Sequence, residues 1–114
     1  MAAWKEVYTE NFQAGIIATT AEEVFGAKRD SQVHRDKHGS ANSLIITSLA
    51  DEDFEIRLDG LDSRLIGLLY TRGSFVIKPE DGIFFSSVKL TNVSATDSTA
   101  NEVKLRISKA IRVD

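Results

Sequence analysis

Two stretches of strict alternation limit what this chain can fold into more than anything else in it. In Phe54-Glu55-Ile56-Arg57-Leu58-Asp59 the apolar and charged residues take turns, and Val103-Lys104-Leu105-Arg106-Ile107-Ser108 repeats the pattern. Side chains of an extended chain point alternately to opposite faces, so a period of two means a strand with one face buried and one wet. Neither stretch has the 3.6-residue period of a helix. Lys109, Ala110 and Ile111 can extend the second strand, and Asp59-Gly60 marks a turn after the first.

The remaining strand signals are less regular. Ser74-Phe75-Val76-Ile77-Lys78 is stopped by Pro79, which lacks the N–H a ladder needs. Pro79-Glu80-Asp81-Gly82 reads as a tight turn, the proline presetting φ and Gly82 free to take a positive one. In Ile83 to Thr91 the apolar parity switches between Phe85 and Val88, which predicts a bulge near Ser86-Ser87. Ser43 to Leu49 is an apolar, β-branched run expected to be a strand buried on both faces. Leu65 to Tyr70 suits a strand or a helical turn, with Gly67 weakening the helix. Short strands are expected at Ile16 to Thr20 and Glu22 to Gly26. Polar loops are expected at 27–42 and 92–101.

Trp4, Val7, Tyr8 and Phe12 fall at i, i+3, i+4 and i+8, which suits one face of a helix and equally an irregular extended arm. Residues 1–15 are therefore expected to form an N-terminal arm, and 16–114 one domain. Short strands 8–12 residues apart, with no helix–strand alternation, predict an all-β fold. It would be a single antiparallel β-sandwich or jelly-roll-like barrel, with an extended or short helical N-terminal segment. At 114 residues the chain buries about two thirds of its unfolded surface, enough for one core.

Charge and composition exclude several function classes. A net charge of −3 disfavours nucleic acid and anionic membrane surfaces as partners. No run approaches the ~20 apolar residues of a membrane-spanning helix. The first residues hold no apolar core of a signal peptide, so synthesis and retention in a cytoplasm are expected. With no cysteine there is neither a disulfide nor a thiolate metal site.

Catalytic patterns are missing too. There is no Gly-rich phosphate loop and no G-x-S-x-G elbow. Asp59 with Asp62, and Glu80 with Asp81, are the carboxylate pairs a glycosidase would need, but a sandwich this small leaves little room for a substrate cleft. The expectation is no enzyme and no cofactor. His34 and His38, at i and i+4, could hold a metal with Asp30 or Asp36 if they lay on a helix. Gly39 and Ser40 and the lack of an apolar face favour a solvated loop. Asp51, Glu52, Asp53 and Glu55 could offer oxygens to calcium, but lack the glycine and trailing glutamate of a calcium loop. A charged turn is the expected reading. Asn92-Val93-Ser94 matches the glycosylation acceptor pattern and is read as coincidence. The Trp4, Tyr8 and Phe12 set has two readings: a segment folded over the chain's own core, or an arm packed on a neighbouring subunit.

The order of these blocks resembles a known group of proteins. Ile17-Ala18-Thr19-Thr20-Ala21 leads to Ser43-Leu44-Ile45-Ile46-Thr47, an acidic turn and Phe54-Glu55-Ile56-Arg57-Leu58-Asp59-Gly60. Arg72-Gly73-Ser74-Phe75, Asp81-Gly82-Ile83-Phe84-Phe85 and Val103-Lys104-Leu105 follow. This resembles the small β-sandwich accessory proteins of tailed-bacteriophage virions, including capsid decoration (cement) proteins and related neck or tail proteins. The resemblance implies a non-enzymatic virion protein made in the host cytoplasm. Its partners would be capsid or tail subunits and copies of itself, with no nucleic acid or membrane. Contacts would then be expected from Trp4, Tyr8 and Phe12, and from Arg29, His34, Arg35 and His38 of the 27–42 loop. The alternative is a small carbohydrate- or ligand-binding sandwich module.

Overall fold

The computed structural model describes residues 3–26, 39–59 and 65–113. Eight strands form within them: β1 (Trp4–Gln13), β2 (Glu22–Phe25), β3 (Ser43–Ser48), β4 (Phe54–Asp59), β5 (Leu65–Leu69), β6 (Ser74–Ile77), β7 (Ser87–Asn92) and β8 (Val103–Arg112). They make two four-stranded sheets, ordered β1-β8-β3-β6 and β2-β7-β4-β5. Every pairing is antiparallel. The fold is a β-sandwich. One core lies between the sheets, fed by Leu44, Ile46, Ile77, Leu105 and Ile107 from the first and Phe25, Phe54, Ile56, Leu58, Val88 and Leu90 from the second.

β4 and β8 occupy the stretches where alternation predicts them, and β8 runs on to Arg112. Lys104 and Arg106 face out while Val103, Leu105 and Ile107 are buried. The 65–70 segment is a strand. Gly67 allows this, because a Cβ there would lie 2.7 Å from the Phe75 ring of the facing sheet. The turn after β6 is a single 3-10 turn, Pro79–Asp81. The Lys78 N–H donates to Asp81 Oδ2 at 2.8 Å, and Gly82 closes the turn at φ 70°.

The structure corrects three expectations and decides between the two readings of the N-terminal segment. The N-terminal segment is not helical: it takes the extended form, as a ten-residue edge strand on β8. The register slips between Glu6 and Tyr8, leaving Val7 as the extra residue of a bulge. Val7 and Tyr8 both pack on the core, so a strand mimics the 3–4 spacing of a helix. β3 is buried on one face only. Leu44, Ile46 and Ser48 point in, while Ile45 pairs with the exposed Val76 on the outer face. Among the described residues no third layer covers that side of the two-layer sandwich.

Residues 16–20 form no strand. The Ile17 N–H goes to Ser98 Oγ and its carbonyl to Asn92 Nδ2, both at 2.9 Å, so no ladder is needed. Finally, the break predicted at Ser86-Ser87 is not a bulge within one strand. β7 starts at Ser87, and Phe85 makes a separate bridge to Ala41.

Candidate functional site

Because the strands run up and down, the loops gather at two ends. At one end lie the starts of β1 and β3, the end of β8 and the 79–86 connection. β3 stops here while β8 continues, which would leave β8 backbone groups without a partner. Asn42 fills the gap. Its Nδ2 donates to the Ala110 carbonyl at 2.9 Å, and its Oδ1 accepts the Ala110 N–H at 2.8 Å. The side-chain amide thus stands in for one more residue of β3. Replacing Asn42 by alanine strands both buried groups, and is expected to cost about 2 kcal/mol in urea unfolding.

Beyond Asn42 a cleft of about 500 Å3 opens, lined by Trp4, Pro79, Phe84, Ile111, Lys109 and Arg112 among others. Its walls are mostly apolar. Lys109 Nζ sits 4.7 Å from the centre of the Phe84 ring, a cation–π contact. Among the described residues Glu80 is the one acid in the lining.

At the opposite end the four connections are 14–21, 49–53, 70–73 and 93–102. They contain five acids, Asp51, Glu52, Asp53, Asp97 and Glu102, against one base, Arg72. The 92–101 segment, which reads as a polar loop, is tied down. Asn92 is fully buried, its Nδ2 donating to the carbonyls of Ile17 (2.9 Å) and Thr96 (2.8 Å) and its Oδ1 accepting the Ser94 N–H at 2.9 Å. An amide so used is turned away from any glycosylating enzyme. The acidic residues have separate partners. Asp51 pairs with Arg72 at 3.1 Å, Glu52 accepts the Thr96 hydroxyl at 3.0 Å, and Asp53 accepts the Thr71 N–H at 2.7 Å. Among the described residues no group of three or more His, Cys, Asp or Glu comes together to hold a metal.

The three aromatics proposed for contacts do not form one surface. Tyr8 is buried and its hydroxyl donates to the Gly39 carbonyl at 3.1 Å. Phe12 is half-buried and meets Phe25 edge-on at 6.0 Å. The bulge puts Trp4, paired with Arg112, on the other face of the sheet, where it lines the cleft. Arg29, His34, Arg35 and His38 lie outside the described residues, as does Asp62. Sequence reasoning passed over Phe84, Lys109 and Ile111 in the cleft, and Ile16, Leu49 and Val93 at the acidic end. The available signal was parity: Phe84 and Leu49 are apolar yet fall opposite Phe85 and Ile46 along their segments.

Comparison with protein-family models, with curated proteins and with solved structures finds no match. Among the described residues no helix is long and apolar enough to cross a membrane.

Proposed function

We propose that the chain is a non-enzymatic structural protein of a virion, of the tailed-phage accessory kind, that works by surface contact with capsid or tail subunits and with copies of itself. One observation carries this reading: the exposed large hydrophobic residues concentrate at the two ends of the sandwich. Ile16, Leu49, Tyr70 and Val93 are exposed at the acidic end, and Phe84, Ile111 and Val113 at the cleft end, seven of the eleven such residues among those described. Single exposed apolar side chains are ordinary, but grouping at loop ends rimmed by charge fits interaction surfaces.

The test is fractionation. Particles released by cells that make the protein are purified on a density gradient and counted for it by mass spectrometry. The expected result is many copies per particle, travelling with the particles. A protein left wholly in the soluble fraction overturns the reading.

A carbohydrate-binding module is the second reading, favoured by the cleft with Trp4 and Phe84 on its walls. Trp4 and Tyr70 stand at opposite ends and cannot share one sugar platform. Retained glycan binding that is lost in Trp4→Ala would favour this reading over the first.

A further inference from the structure

The cleft and the acidic end have complementary chemistry. The cleft offers apolar walls, Trp4, Pro79, Phe84 and Ile111, with two cations, Lys109 and Arg112, against one acid, Glu80. Lys109 has no carboxylate within ion-pair distance among the described residues, and its contact is the Phe84 ring. It would suit an apolar side chain with a carboxylate close behind it. The β3–β4 turn at the far end presents that combination. Leu49 is 64% exposed at the strand's end, and Asp51 and Asp53 follow at once. The Asp51–Arg72 pair is exposed on both sides, hence weak and exchangeable.

We infer that the Leu49 to Asp53 turn of one copy seats in the Trp4–Phe84–Lys109 cleft of the next, so that copies associate head to tail. This rests on the reading of the protein as one that works by subunit contact. The occupant is a second copy because the two complementary surfaces belong to one chain and lie at opposite ends. A two-fold contact between like ends would set acid against acid at one of them. A head-to-tail contact is heterologous and builds rings or filaments.

The test uses the full chain, measured by sedimentation velocity over a range of concentrations. Wild type should grow in mass with concentration, less so in added salt. Leu49→Ser and Lys109→Glu should each weaken association by about tenfold or more. Val76→Ser, on a sheet face, should leave it unchanged. Thermal unfolding checks that each variant is folded.

The mixture of the two variants decides the geometry. The Leu49→Ser chain keeps its cleft and the Lys109→Glu chain keeps its turn, so together they should form a dimer and stop. A wild-type chain that stays monomeric up to about 1 mM overturns the inference. So do variants that associate like wild type, or a mixture that stays monomeric while wild type assembles. Particles that carry both variants at wild-type copy number would remove the head-to-tail contact and leave the structural role standing. A wild-type protein that assembles as described but never travels with particles would do the reverse.

Discussion

Asn92→Ala is expected to lower the unfolding free energy by about 3–5 kcal/mol, a large share of the ~5–15 kcal/mol typical of a domain. The side chain has no exposed surface and makes three hydrogen bonds. Alanine would take away one of the two hydrogen bonds of the Ile17 carbonyl, which keeps the Ser98 N–H at 3.0 Å, and would remove the Asn92 partner of the Thr96 carbonyl and the Ser94 N–H. Each buried group left without a partner costs about 1–3 kcal/mol. The loss would spread beyond position 92, because the Ile17 bond helps hold the 14–21 connection and the Thr96 bond holds 93–102. Asn92→Asp keeps an acceptor for Ser94 but turns a carboxylate oxygen toward two carbonyls, so it should be no better. Urea denaturation reads both, as a lower midpoint with an unchanged slope. A loss below about 1 kcal/mol would mean that water replaces these bonds freely and that the acidic end is not held by Asn92.

Phe54→Ala should cost a similar ~3–5 kcal/mol for a different reason. Phe54 is fully buried on β4, which has a neighbour on each side. Removing the ring forfeits its burial and leaves a cavity between packed sheets. Phe84→Ala is the internal contrast. That ring is about half exposed in the cleft, so its loss should change stability by no more than about 0.5 kcal/mol while altering the cleft wall. Phe54 also faces Asn92 directly across the β4–β7 ladder. The double variant should therefore lose less than the two single losses added, since either change already loosens the same corner. Additive losses would show that the ring and the amide support separate regions.

Strands read most easily where burial is one-sided and regular. β4 and β8 alternate because each has one face in the core and one in water. β1 does not, because Val7 is an extra residue and shifts everything before it to the other face. β3 hid its exposed face because Ile45 is apolar yet sits beside Val76 on the outside, where two β-branched neighbours shield each other. The 93–102 connection reads as a plain polar loop because its residues are small and polar. Yet Asn92 continues the inward parity of Val88 and Leu90, and that was enough to place it in the core. The cleft had no local signature. Trp4, the 79–84 turn and 109–112 come from three distant segments, and only the sheet order, with β8 outrunning β3, brings them together.

The place of β8 also sets an order of events as the chain is made. It stands between β1 and β3, so among the described strands β1 has no partner until β8 has left the ribosome. The second sheet and the β3–β6 pair can form earlier, but Tyr8 and Phe12 must wait for β8 before their strand is paired. The β1–β8 pairing is closed off by the Val113 N–H, which donates to the Ala3 carbonyl at 3.1 Å. Such long-range closure is slow compared with hairpin formation. Until it happens, each newborn chain exposes the unpaired β3 edge of its β3–β6 ribbon to its neighbours on the polysome.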